Sequence, residues 1–129
     1  AHTDAGARLV AIAEELSEGF AANATEHDRD GTFPVEAIDA LKEARYFAAP
    51  VPVELGGLGV SSAHDLVVAS SRLARGDASV AIGVNMHLVA VLLQARAGVQ
   101  TGFAQYARSQ TTPSAAKRSI FGVWVNADP

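Results

Sequence analysis

The stretch from Val80 to Leu93 constrains this chain more than any other. Read as a helix it is apolar nearly all round, through Val80, Ile82, Val84, Met86, Leu88, Val89, Val91 and Leu92. Such a helix has no polar face to offer water, so the sequence predicts burial against several neighbours rather than a place on the surface. The remaining segments must then supply the helices around it. Aromatic residues make up only 6% of the chain, so Ala, Val and Leu have to fill that core, which favours close helix packing. The expected fold class is all-α, a bundle of five or six helices.

The flanking segments read accordingly. Leu9, Ile12, Leu16 and Phe20 recur at steps of three and four, which predicts an amphipathic helix from Ala5 to His27. "HDRDGTFP" ends it with an Asp-Gly turn, and Pro34 sits at the first position of the next helix, Val35 to Phe47, which runs through Ile38, Leu41 and Ala44. Ser62 to Asp65 spells S-x-x-D, close to a capping box, and opens a third helix through Leu66, Val67 and Leu73. "ARGDAS" interrupts it before the apolar helix. A more polar helix is expected from Val99 to Ser109, with a turn at Pro113. The closing run "SIFGVWV" is β-branched and aromatic and reads as a strand. It has no partner strand elsewhere in the sequence, and a lone strand leaves its hydrogen bonds unmade. The expected division is therefore a helical domain over residues 1–118 and, over 119–129, the first strand of a further domain.

Composition narrows the function classes. With 129 residues, 49% hydrophobic and 19% charged, the chain is globular and of single-domain size. A net charge of −4 argues against a nucleic-acid partner, which calls for clustered Lys and Arg. The absence of Cys removes disulfides and thiolate metal sites and fits a reducing compartment. No signal pattern opens the chain and no apolar run reads as long enough to cross a membrane, so a soluble cytoplasmic protein is the expectation.

Several motifs invite sharper readings. "PVPVELGGLGVS" places Gly56, Gly57 and Gly59 together, which suits either a tight turn or a phosphate cradle. A cradle would need a Lys or a third glycine, and position 62 is Ser, so the turn is preferred. "EHDRDGTF" places acids at the first, third and fifth positions of a Ca²⁺ loop, but Ala37 falls where a bidentate Glu is required. "RGD" at Arg75 to Asp77 reads as a turn between helices, and the sequon Asn23-Ala24-Thr25 falls inside a helix. The histidines (His2, His27, His64, His87) show no i, i+4 pairing and no acidic partner at ligand spacing, so no metal is expected. No nucleophile elbow or paired-carboxylate constellation is visible.

Taken in order, "HDRDGTFPVEAIDALKEARYFAAPVPVELGGLGVSSAHDLVVASSRLARGDASVAIGVNMH" resembles the N-terminal helical domain of the acyl-CoA dehydrogenase family. The likeness lies in the sequence of words. A turn with Asp, Gly and Phe-Pro precedes a Leu-rich helix and Pro-x-x-x-Gly-Gly-x-Gly. A helix, a Gly-Asp-x-Ser turn and a buried helix with His follow. The likeness is good over residues 5 to 95 and looser beyond. In this family the Gly-Gly-x-Gly segment connects helices and cradles no phosphate. The resemblance implies a flavoprotein oxidoreductase of fatty-acid metabolism, with FAD (FMN as the alternative), an acyl-CoA or similar substrate and a homo-oligomer at full length. It further implies α-proton abstraction by a carboxylate and hydride transfer from the β-carbon to the flavin, a division in which the cofactor carries the hydride chemistry. That carboxylate belongs to a C-terminal domain, so no residue of this chain is expected to be catalytic.

The same resemblance places the helix after Ser79 against the acyl pocket. By helical spacing Ile82, Asn85, Met86 and Val89 share a face and are the candidate lining, with ordinary core packing as the standing alternative. The terminal "WVNADP" falls where the family's first β-domain strand ends in Thr-Glu-Pro beside the flavin, making Trp124, Asn126 and Ala127 the cofactor-binding candidates. Ala127 lacks the hydroxyl that would bond the flavin, which leaves room for a reduced-flavin-dependent monooxygenase on the same fold, acting on a small aromatic or heteroaromatic compound. A free-standing helical interaction domain without cofactor is the rival reading.

Overall fold

The computed structural model describes residues 1–97, and these form four α-helices: α1 (Asp4–Asp30), α2 (Val35–Glu43), α3 (Ala63–Leu73) and α4 (Ala78–Ala97). Two short 3-10 turns, Tyr46–Ala48 and Val53–Leu55, carry the chain from α2 to α3. The architecture is all-α, as the sequence predicts. The fifth helix expected from Val99, the turn at Pro113 and the strand over 119–125 lie outside the described residues.

Capping chemistry sets the helix ends. Thr3 caps α1 by accepting the Gly6 N–H on its hydroxyl at 2.9 Å. The helix continues through "HDRD", past the expected end at His27, and stops only where Gly31 takes the left-handed conformation at φ 62°. Nothing in that turn forces an earlier exit: Asp28, Arg29 and Asp30 are exposed, and Arg29 pairs with Asp30 at 2.7 Å. α2 ends at Glu43, four residues before the expected Phe47. Arg45 turns the chain at φ 58° and drives Tyr46, Phe47 and Ala48 into the core. In α3 Leu66, Ala69 and Leu73 are buried, whereas Val67 is exposed.

α1 and α3 form the most extensive helix pair, with Leu9, Ala13, Phe20, Leu66, Ala69 and Leu73 between them and their neighbours. Asp65 locks the two together. The expected capping box forms only by half: Ser62 accepts the Asp65 N–H at 3.2 Å, but the Asp65 carboxylate reaches across to the start of α1. There it accepts the His2 N–H at 2.6 Å, the Thr3 N–H at 3.0 Å and the Thr3 hydroxyl at 2.7 Å. A Cβ on Gly6 would lie 2.0 Å from Asp65 Oδ2, so only glycine permits this approach.

α4 corrects the expectation of all-round burial. Val80, Ala81, Val84, Leu88, Val91 and Leu92 are buried, but Ile82, Met86, Val89 and Leu93 are 71, 69, 43 and 61% exposed. The physical reason is coverage: α4 packs on α3 and on the 46–48 turn, which reach only one side of it. The helix also corrects the reading of apolar run length. At 20 residues with mean hydropathy 1.7 it is long and apolar enough to span a membrane, yet its buried face packs as a core helix of the domain.

Candidate functional site

The exposed face of α4 is the surface on which the family resemblance places the candidate substrate lining. Ile82, Met86, Val89 and Leu93 follow one another at steps of four, three and four, which aligns them in a single apolar stripe. Asn85 is half-buried on one flank of that stripe, and Gly83 is exposed on the other. The structure thus brings Ile82, Asn85, Met86 and Val89 to one side of the helix, opposite buried Val84, Leu88 and Val91. The stripe carries no acid, base or nucleophile, so it is suited to binding and not to proton transfer. Trp124, Asn126 and Ala127, the cofactor candidates, lie outside the described residues.

The back of α4 is held by a residue to which the sequence reading gave no role. His87 is buried, and its Nε2 meets the Phe47 carbonyl at 3.1 Å, while the two rings meet edge to face with centroids 5.3 Å apart. The carbonyl can only accept, so Nε2 carries the proton and the buried Nδ1 has no partner. Burial pushes the His87 pKa down, with the Phe47 bond opposing, and the imidazole is held neutral. Next to Phe47, burial also drives the Tyr46 phenol up to about 12, with Ser70 partly offsetting it. A lone His in an otherwise apolar run was the available signal for the His87 anchor, since a buried imidazole needs a partner.

The glycine stretch has no room for a phosphate. The N–H groups of Gly56, Gly57, Leu58, Gly59 and Val60 donate to the carbonyls of Val53, Pro52, Ala48, Val51 and Ala49, all at 2.8–3.1 Å. A cradle needs such donors free and convergent, and here each closes the crossing on itself. Gly57 also lies against Val51, where an added Cβ would sit 2.0 Å from the carbonyl oxygen. Arg96 fixes the far end of the crossing by donating to the Ser61 carbonyl at 2.7 Å.

The histidines depart from the expectation that none has an acidic partner. The packing of α1 on α3 brings His2, His64 and Asp65 together, with ligating atoms within 4.8 Å of one another. His64 Nδ1 lies 3.2 Å from Asp65 Oδ1, and the two imidazoles stack with centroids 3.8 Å apart. Parallel rings cannot aim both in-plane lone pairs at one ion, and the carboxylate already accepts three bonds from His2 and Thr3. The cluster therefore closes a helix junction. His27 is paired too, through Nδ1 to Thr32 at 2.7 Å and through Nε2 to Glu36, which ties the end of α1 to α2. "EHDRDGTF" is used as this helix end.

Comparisons with known proteins agree with the fold. Residues 7–115 match the family described as acyl-CoA dehydrogenase, N-terminal domain. An amino sugar nitrososynthase of Streptomyces peucetius is 39% identical over 84 residues, 65% of this chain and 21% of that protein. A probable FMNH2-dependent monooxygenase of Pseudomonas putida is 36% identical over 105 residues, 78% of this chain and 26% of that protein. The crystal structure of KijD3 with FMN and dTDP-3-amino-2,3,6-trideoxy-4-keto-3-methyl-D-glucose superposes with a TM-score of 0.76 at 33% identity, covering 92% of this chain and 30% of that one. The chain thus spans between a fifth and a third of the length of these relatives. With that match over most of its length, and with the all-α order the motifs implied, this chain belongs to the acyl-CoA dehydrogenase family, of which it carries the N-terminal helical domain.

Proposed function

We propose that this chain is the N-terminal domain of a reduced-flavin-dependent monooxygenase, in which the stripe on α4 walls the site of a small-molecule substrate. Ile82, Asn85, Met86 and Val89 line that wall, and His87 holds it in place from behind. The observation that carries the reading is the exposed apolar face on a helix otherwise built for a core: an unpartnered face of this kind marks a binding surface. The likeness to an FMNH2-dependent monooxygenase and to a structure holding FMN supports flavin chemistry of the oxygenating kind. Ala127 supports it as well, standing where the dehydrogenase pattern has a Thr.

The cofactor in this reading is FMN, with FAD as the dehydrogenase alternative. The N–H groups of Gly56 to Val60 are all spent within the crossing, so Trp124, Asn126 and Ala127, with residues beyond this chain, would hold its phosphate instead. Reduced flavin, when bound, would supply the two electrons by which dioxygen gives one oxygen atom to the substrate and the other to water, leaving the flavin oxidised. The described residues bind and orient the substrate and keep water from it. A domain boundary at 118/119 and a cytoplasmic location belong to the same proposal. The test is stopped-flow absorbance of the natural-length protein with reduced FMN. Reoxidation by dioxygen with a protein-dependent rate is expected, whereas anaerobic flavin bleaching by octanoyl-CoA would favour the dehydrogenase.

A further inference from the structure

We propose that the cavity between the end of α1, the start of α2 and Asp77 binds a free primary amine with a compact apolar body. The cavity has a volume of about 190 Å³, below the ~300 Å³ at which drug-sized ligand sites begin, so its occupant is small. Its floor is apolar, with Phe20 and Ala37 buried and Pro34 and Ala40 half-buried. Gly19 leaves one wall without a side chain. It lies inside α1, where glycine weakens a helix relative to alanine, yet a Cβ there would meet nothing within 4 Å. Packing demands glycine at Gly6, Gly57 and Gly76, but not at Gly19. A longer side chain at that position would enter the cavity.

The charge at the mouth selects the ligand. The apolar cavity adjoins a second, more polar one of about 410 Å³, and the two share His27, Pro34 and Asp77. Glu36 lines the first and Asp28 the second, while no Lys or Arg lines either. His27 is engaged through both ring nitrogens, by Thr32 and Glu36. The start of α4 would draw an anion, but Asp77 Oδ1 already accepts the Ser79 and Val80 N–H groups at 2.8 and 3.1 Å. Asp77 Oδ2 accepts no hydrogen bond among the described residues. An ammonium at that oxygen, with its body in the apolar cavity, satisfies both surfaces. A linear lysine stem would leave part of the width empty and forfeit those contacts, so a ring fits better. Asp28, Asp30 and Glu36 around the mouth are exposed, and burying such charges against another domain is costly, so this face suits open solvent. No residue of the α4 stripe lines the cavity, which makes the site independent of the substrate wall.

The experiment is calorimetric titration of the natural-length protein with phenethylamine, 2-phenylethanol, phenylacetate and Nα-acetyl-lysinamide, repeated on Gly19→Leu and Asp77→Asn. Asn caps a helix about as well as Asp, so Asp77→Asn removes the charge and keeps the fold. Phenethylamine is expected to bind about 10-fold or more tighter than each of the others. Gly19→Leu should weaken it about 10-fold or more with the melting temperature unchanged or raised, and Asp77→Asn should bring it to the level of 2-phenylethanol. Equal binding of phenethylamine and 2-phenylethanol overturns the inference, as does tighter binding of phenylacetate or of Nα-acetyl-lysinamide. So does the absence of phenethylamine binding, or binding that ignores Gly19→Leu or Asp77→Asn. A fall of several degrees in the melting temperature of Gly19→Leu would show that position packed against protein, and would also overturn it. The flavin reaction stands or falls separately, by the stopped-flow measurement.

Discussion

Asp65 is a buried carboxylate that stays charged. Burial opposes its ionisation, but the bonds from His2, Thr3 and His64 overcome that and hold the carboxyl well below the usual carboxylate range. Its folded pKa is depressed, so its contribution to stability is present above the ordinary carboxylate value of about 3.9 and is lost as pH falls below it. Urea midpoints between pH 5 and pH 2.5 should therefore drop in the wild type and change less in Asp65→Asn. His87 acts in a different window. Its pKa is also depressed, from an ordinary value of about 6.5, so folding favours the neutral ring and stability falls as pH drops below that value. His87→Phe should flatten that limb between pH 7.5 and 5, and at neutral pH should cost about 1–3 kcal/mol by leaving the buried Phe47 carbonyl without its donor.

At the scale of elements, α4 has two faces that truncation should separate. Leu88→Ala removes a fully buried side chain and should cost about 2–5 kcal/mol, whereas Val89→Ala on the exposed stripe should stay within about 0.5 kcal/mol. Chemical denaturation of the two variants checks this, and equal losses would place Val89 in a core. The helices themselves were legible because spacing, Ser62, Pro34 and Gly31 announce them locally. What escaped was set by coverage and by long-range partners. No periodicity tells which side of an apolar helix its neighbours reach, so the exposure of Ile82, Met86 and Leu93 appeared only in the fold. Asp65 read as part of a cap because its true partners, His2 and Thr3, lie more than sixty residues away. The glycine crossing was readable as a turn, though the pairing of its N–H groups was not.

Among the described residues, α3 and the 46–48 turn cover one face of α4 and leave the other exposed. For a chain spanning at most a third of its flavin-dependent relatives, that division suits a site completed by other domains. Residues 1–129 alone should accordingly bind FMN weakly or not at all, as flavin fluorescence would show; stoichiometric yellow protein would contradict this. Oxygen transfer to a substrate held on the α4 wall is the reaction we propose. The most direct measurement is the product mass from the natural-length protein, reduced FMN and ¹⁸O-labelled dioxygen, with a bound apolar probe such as indole. A product heavier by one ¹⁸O atom is expected, with the yield reduced in Ile82→Asp. An unlabelled product that has only lost two hydrogens, formed equally well by Ile82→Asp, would contradict it.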